Sequence, residues 1–330
     1  MKTRPTVIDV ARLARVGAST VSRFLRGGSV GVESSERVAR AIKKLGYEPD
    51  LTARALRVGR SRTIGVILPK VSNVFFSQVV QLMEEDVRQR GCTIILLTHQ
   101  DRLEQQLEHL ATLRRNRVDG VIITSAPGTE VKDVRSTVSD IPLVAFDSFL
   151  ASDVDSVLLR NREAARTATE HLLKHGYKNV ACVTGKPEIY SFRERMAGYA
   201  DAMAGQRLKP KLITAPDYEQ LRYVLGTAIR GKDRPAALLS LSDFATLTVL
   251  TTFNELALVP ANRLPLIGFD DFGFAPLVDP PLTVMRQPIE KMVHYALNVL
   301  FSHIDGTASS GVQAIALPAE LICRRSCGCF

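Results

Sequence analysis

The sequence predicts an all-α helix-turn-helix head joined to an α/β body built as two doubly wound, parallel-sheet lobes. Three observations lead there. First, the excess charge sits at one end. Residues 1–62 carry 14 Lys and Arg against 5 Asp and Glu, while the rest of the 330-residue chain carries 29 of each, so the head accounts for the whole net charge of +9. Second, apolar residues in that basic segment recur at helical spacing, which a basic disordered tail would not show. Third, from Thr63 onward, short apolar runs of strand length alternate with amphipathic stretches. That pattern means parallel strands covered by helices on both faces.

In the head, Thr6 to Asp9 reads as a capping box with Asp in place of Glu. Val7, Val10, Ala11 and Ala14 follow on one helical face, and the helix breaks at Arg15-Val16-Gly17. A second helix spans about Ala18 to Leu25, with Val21 and Leu25 facing in, and Gly27-Gly28 ends it. A third runs from Gly31 to Leu45, with Val38, Ile42 and Leu45 inward, and stops at Gly46 and Pro49. Two helices across a tight break and a third closing the core is the helix-turn-helix plan, which lays its second helix in the DNA major groove.

The outer face of that second helix holds Ser19, Ser22, Arg23 and Arg26. Arg23 is placed to read guanine O6 and N7. Ala18 and Ser19 are small enough for close approach and for contact with a thymine methyl. Thr6, Thr20, Ser22 and Ser34 are candidate phosphate contacts, which position the protein without reading sequence. A single Arg on such a face is as often a solvated charge as a contact; the combined pattern makes the case. Beyond Pro49, Asp50 caps a stretch of about two turns, too short to hold as a helix alone. Leu56, flanked by Arg54 and Arg57, has the composition of a minor-groove wedge. The chain thus divides into a head at 1–48, a short hinge helix and basic linker at 49–62, and an α/β body at 63–330.

The body has more strands than one ordinary sheet takes, so two lobes with a cleft between them are expected. Ligands in such folds bind beyond the carboxyl ends of strands. Asn73, Phe75 and Phe76 follow the first strand, Asp147 and Ser148 follow Phe146, Ser242 and Asp243 follow Leu241, and Asp270 and Asp271 follow Phe269. Aromatic rings with carboxylates and amides suit a polyhydroxylated ligand such as a sugar. The competing reading of each Asp is a helix N-cap, which fits Asp243 and Asp271 best.

Other classes find little support. There is no nucleophile elbow, P-loop or dinucleotide fingerprint, and the six histidines read as scattered, so no enzyme and no cofactor are assigned. A receptor with a vestigial head would need an export signal, and the N-terminus does not read as one. No apolar run is long enough to span a bilayer. Cys92 and Cys182 read as core residues. Cys323, Cys327 and Cys329 lack an evident fourth ligand, so no metal is assigned and a reduced thiol tail is the default. A cytoplasmic location fits.

These residues resemble the LacI/GalR family of bacterial transcription regulators over nearly the whole chain. The likeness is carried in the head by Thr6 to Ala11, Ala14, Val16, Thr20 to Arg23, Leu45 to Tyr47, Pro49, Ala53, Arg54 and Leu56. In the body it is carried by Ile64 to Val66, Arg117 to Ile122, Arg195 to Gly198, Pro260, Ile267 to Asp270 and Pro281 to Thr283. The resemblance implies a periplasmic-binding-protein-like body at 63–330 that serves effector binding and dimerisation, and a homodimer on a near-palindromic double-stranded operator. Ala53, Arg54 and Leu56 would lie at the minor groove, where Leu56 opens a central step. It implies that the chain leaves the first lobe near 161, returns near 288 and crosses again near the end. It also implies a small effector between the lobes, coupled to DNA binding, with repression as the usual outcome. By the same resemblance Arg195 and Asp270 would bind the effector, Phe75 and Phe76 would form its apolar wall, and Tyr218 would stand near the mouth. No heptads follow the last strand, so a dimer rather than a tetramer is expected.

Departures from the family pattern are Arg15 at a turn position often held by Gly, Gly17 for Ser, Ser242 for Asn before Asp243, and Arg160 for an acidic residue before Asn161. A lost amide at Ser242 and an added cation at Arg160, with Arg195, favour an anionic effector such as a sugar acid or sugar phosphate.

Overall fold

The structure is a computed structural model that describes residues 5–25, 27–47, 60–259 and 262–329. It divides into two compact units that part between Ser61 and Arg62. The expectations for Arg26, for the hinge helix with Ala53, Arg54, Leu56 and Arg57, and for Pro49 and Pro260 lie outside the described residues.

The head consists of α1 (Val7–Ala14), α2 (Ala18–Leu25) and α3 (Val32–Leu45). Thr6 and Asp9 close a full capping box: the Asp9 amide donates to Thr6 Oγ1, and the Thr6 amide donates 2.9 Å to Asp9 Oδ2. Arg15 ends α1 in the left-handed region at φ 53°, where a side chain costs about 1–2 kcal/mol. Gly46 ends α3 in the same region at φ 58°, where it costs little. Val10, Ala14, Val21, Val38, Ala41 and Tyr47 form the core, with Leu25, Ile42 and Leu45 packed against it.

The body holds two six-stranded sheets. In chain order its elements are β1 (Thr63–Leu68), α4 (Val74–Gln89), β2 (Thr93–Thr98), α5 (Leu103–Arg115), β3 (Gly120–Ile123), α6 (Val131–Val138), β4 (Leu143–Phe146), β5 (Asp155–Leu159), α7 (Asn161–Lys174), β6 (Val180–Thr184), α8 (Tyr190–Gly205), β7 (Lys211–Thr214), α9 (Tyr218–Arg230), β8 (Ala237–Ser240), α10 (Asp243–Glu255), β9 (Leu266–Phe269), β10 (Thr283–Arg286), α11 (Ile289–Asp305), β11 (Ala314–Leu317) and β12 (Glu320–Ile322). Lobe 1 has strand order β11-β5-β4-β3-β1-β2, and lobe 2 has β12-β10-β9-β8-β6-β7. Every pairing is parallel except that of β10 with β12.

The chain therefore crosses between lobes three times: from β5 into α7, from β10 into α11, and from β11 into β12. The alternation of strands and helices expected from Thr63 onward forms. Sequence reasoning missed α6, α11 and the strands β10 to β12. In α11, Met292, Val293, Ala296, Leu297, Val299, Leu300 and Phe301 are all buried, so apolar residues spread round most of the helix and blur its period. That helix packs on α4 and on β3, β4 and β5. In lobe 2, Gly198 lets α8 lie directly on α7, because a Cβ there would overlap the Arg162 carbonyl oxygen.

Candidate functional site

The head presents one polar face. Ala18, Ser19 and Arg23 are exposed on α2, Thr20 and Ser22 are half-buried beside them, and only Val21 is fully buried. The Arg23 stem packs on Gly28, where an added Cβ would lie 2.8 Å from Arg23 Cγ. Thr6 is exposed at the start of α1, its hydroxyl engaged with Asp9 at 2.7 Å. Ser34 sits in the first turn of α3 and accepts from Arg37 Nη2 at 3.3 Å. An exposed helix with a cation and small hydroxyls has the shape and donors that suit a major groove.

In the body, a cavity of ≈ 360 Å³ lies between the lobes, a size typical of small-ligand sites. Loops after β1, β2, β3 and β4 supply one wall; loops after β6, β7, β8, β9 and β10 supply the other. Phe75 and Phe76 meet edge to face at 5.0 Å, and Phe75 stacks on Phe146 at 6.3 Å. Tyr218 packs edge to face on Phe244 at 5.9 Å on the facing side. The lobes touch across the cleft: Asn73 Nδ2 donates 2.8 Å to Asp243 Oδ1, and Lys186 Nζ donates 2.9 Å to Asp101 Oδ2.

The polar centre is Arg195 with Asp147 and Asp270. Arg195 is 2 % exposed. Its Nε donates 2.7 Å to Asn161 Oδ1, its Nη1 donates 2.7 Å to the Leu241 carbonyl, and its guanidinium lies 3.9 Å from the Phe269 ring centre. Asp147 and Asp270 follow β4 and β9 in left-handed turns at φ 49° and 71°, a conformation Asp tolerates. Burial pushes the Asp147 carboxyl up to about 7, against the pull of Arg195. Burial likewise pushes Asp270 up to about 6, with Arg195 and a 2.6 Å bond from Gln287 Nε2 holding it back. Three buried polar atoms of the cleft have no partner among the described residues: Asp147 Oδ1, Gln287 Oε1 and Ser125 Oγ.

Comparison with known proteins agrees with both units. Residues 6–50 match the model of bacterial regulatory proteins of the lacI family, and residues 61–240 match that of periplasmic binding proteins and the sugar binding domain of the LacI family. The chain belongs to the LacI family. Residues 169–327 further match a periplasmic binding protein-like domain. An HTH-type transcriptional repressor PurR of Photobacterium profundum is 29% identical over 97% of this chain and 98% of its own. A ribose operon repressor of Halalkalibacterium halodurans is 28% identical over 97% and 96%. A crystal structure of the Lac repressor dimer bound to operator and an anti-inducer shares the fold, with a TM-score of 0.85, 23% identity and coverage of 98% and 99%. As a LacI-family member the chain is a DNA-binding transcriptional regulator and not an enzyme. No helix among the described residues is long and apolar enough to cross a membrane.

Of the effector residues expected in this LacI-family body, the cleft brings together Asn73, Phe75, Phe76, Asp147, Arg195, Tyr218, Ser242 and Asp270. Arg160 is the exception and corrects the expectation. It stands at the β5–α7 crossover, exposed, with Nη1 3.6 Å from Glu163 and Nε donating 3.2 Å to the Ala316 carbonyl. It lines a neighbouring outer groove that shares Tyr190 with the cleft, so its guanidinium is not part of the cleft wall itself. The N-cap reading of two aspartates also fails. Ser242 caps α10 in place of Asp243, which instead reaches across to Asn73 and the Val74 amide. Asp271 lies after β9 and receives Arg286 and Arg324.

Sequence reasoning missed Lys70, Asp101, Ser125, Lys186, Tyr190, Phe192 and Gln287 in the cleft wall. Most follow strands, the same signal that flagged the others; Gln287 follows β10, a strand not foreseen. It also missed that His171 and His175 stand four apart on α7 and meet Cys327 and Cys329. The histidines are therefore not all scattered, and the thiol tail does not lie alone.

Proposed function

We propose that this LacI-family regulator is a homodimeric repressor. In this reading α2 of each head reads one half of a near-palindromic operator, and a neutral polyhydroxylated molecule, a sugar, binds between the lobes and changes DNA affinity. The observation that carries the ligand class is the set of unpartnered polar atoms in the cleft. Gln287 Oε1 is an acceptor, Asp147 Oδ1 accepts once its carboxyl, pushed up to about 7, is ionised, and Ser125 Oγ can take either role. A ligand meeting them must donate hydrogen bonds, as sugar hydroxyls do, while Phe75, Phe76 and Tyr218 cover its apolar faces.

An anionic ligand fits less well. Arg195 already gives donors to Asn161 and Leu241, Lys186 is paired with Asp101, and Arg160 is elsewhere. A carboxylate or phosphate would face the buried Asp147 and Asp270 at a cost that burial magnifies, while the further wall cation, Lys70, is exposed to solvent, where its charge is screened. The relative named as a ribose operon repressor agrees with a sugar.

Thermal melting of the full-length protein against neutral pentoses and hexoses, sugar acids, sugar phosphates and purine bases tests the reading. A neutral sugar at 100 times its dissociation constant is expected to add about 2.7 kcal/mol of stability. Stabilisation by sugar acids or phosphates alone would contradict the ligand class, and stabilisation by a purine base alone would replace hydroxyl recognition with ring stacking.

A further inference from the structure

We propose that His171, His175, Cys327 and Cys329 form a tetrahedral site for a zinc ion that fastens the C-terminal loop to the first helix of lobe 2. The four ligand atoms lie within 4.8 Å of one another. His171 Nε2 is 3.3 Å from Cys327 Sγ and 3.4 Å from Cys329 Sγ; His175 Nε2 is 3.2 Å from Cys329 Sγ; the two sulfurs are 3.2 Å apart. A tetrahedron with ordinary zinc–nitrogen and zinc–sulfur bonds has edges of about 3.3–3.8 Å; four of the six separations lie within about half an ångström of those values, and the other two, at most 4.8 Å, need to close by at most about 1.5 Å for the four atoms to share one ion.

The frame around them is built for this convergence. His171 and His175 are four residues apart at the end of α7, which puts both rings on one face, 4.8 Å between centres. Gly328, at φ 90°, turns the chain so that both flanking cysteines point the same way; a Cβ there would strike the Tyr177 hydroxyl. The loop is held independently by Ser326, whose hydroxyl donates 2.6 Å to the Leu266 carbonyl and accepts 2.8 Å from the Thr283 amide. Thr283 Oγ1 donates 3.1 Å to Cys327 Sγ, the outer-sphere bond that a metal-bound thiolate accepts.

Two neutral imidazoles and two thiolates balance the charge of a divalent ion, and binding releases both thiol protons. Mixed sulfur and nitrogen ligands in a tetrahedron select zinc over the harder magnesium or calcium. All four positions are filled by protein, so the site is structural and offers no place for a substrate. It joins the first helix of lobe 2 to its last loop, more than 150 residues apart in sequence.

The test is metal content of full-length protein purified under reducing conditions without a polyhistidine tag, followed by cobalt(II) substitution. Close to one zinc per chain and the intense visible bands of tetrahedral cobalt–thiolate coordination are expected. Zinc affinity should fall more than about tenfold in Cys329→Ser and in His175→Ala, two partly exposed ligands, and remain in Cys323→Ser. Chelation should lower the melting temperature of the wild type and zinc should restore it. If a ligand variant fails to fold, the wild-type cobalt spectrum and chelator shift still decide. Reduced wild-type protein that takes up neither metal overturns the proposal. So does a chain lighter by two hydrogens from a disulfide among these cysteines, or metal lost in Cys323→Ser and kept in His175→Ala.

Discussion

Arg195 Nε lies 2.7 Å from Asn161 Oδ1, and this bond ties the floor of the cleft to the residue where the chain first crosses between lobes. The bond exists because Gly198, one turn further along α8, lets that helix settle on the backbone of α7. A buried guanidinium is thereby held with one edge on an amide, another on the Leu241 carbonyl, and its face on Phe269. The cleft lining and the lobe crossover thus share a single side chain.

Removing that amide is therefore expected to be felt twice. Asn161→Ala leaves a buried charged donor without its partner, which costs about 1.5–3 kcal/mol. Melting temperature and effector affinity should both fall, read by calorimetry and by titration with the ligand found in the melting panel. Unchanged affinity would show that Arg195 is positioned by its other contacts alone.

Gly198→Ala tests the helix contact itself. The added methyl must push α8 away from α7, at about 1–3 kcal/mol for overpacking. The expected result is a lower melting temperature with weaker effector binding. A variant as stable as the parent would mean the two helices can part without loss.

Two raised carboxyls give a pH signature. Asp147 is pushed up to about 7 and Asp270 to about 6, each chiefly by burial. In the unfolded chain both ionise lower, so across the window between ordinary carboxylate values and about 7 the folded state holds protons the unfolded state has released. Stability from these groups should fall as pH rises through that window and level off above it. A ligand whose hydroxyls donate to the ionised carboxylates should bind more tightly over the same rise, by up to about tenfold per pH unit and group. Titration from about pH 5 to about pH 8 checks this; Asp147→Asn should flatten the profile, and a flat wild-type profile would contradict the assignment.

In the head, Arg15 holds a left-handed turn at φ 53°. Arg15→Gly should relieve that strain and raise head stability by about 1 kcal/mol, read by chemical denaturation. No gain would mean the arginine side chain returns what its backbone loses.

Most of this architecture is readable from residues because each signal is local. Thr6 and Asp9 announce the start of α1, the apolar runs announce the strands, and a polar residue just after an apolar run announces the cleft. Arg160 misleads because it too follows a strand, but one whose chain is leaving the lobe, so its side chain turns to the outer groove. Gln287 escapes notice because β10 reads Thr283-Val284-Met285-Arg286, with polar residues at both ends and no continuous apolar run, and pairs with β12 at the far end of the chain. The meeting of His171 with Cys327 is invisible for a different reason: it depends on β10 placing the last loop under α7, a long-range contact that no local period encodes.

The proposed function has this protein read a DNA sequence with a tightness that a ligand in the cleft changes. The most direct measurement selects sites from a random duplex pool with the full-length protein. Affinity for the selected site is then measured with and without the ligand that raises the melting temperature. A near-palindromic site is expected, with a loss of about 1–3 kcal/mol and relaxed preference at one position per half-site in Arg23→Ala, and a shift in affinity when ligand is added. Enrichment of no sequence, or an affinity for the selected site that the bound ligand leaves unchanged, would contradict the proposed function.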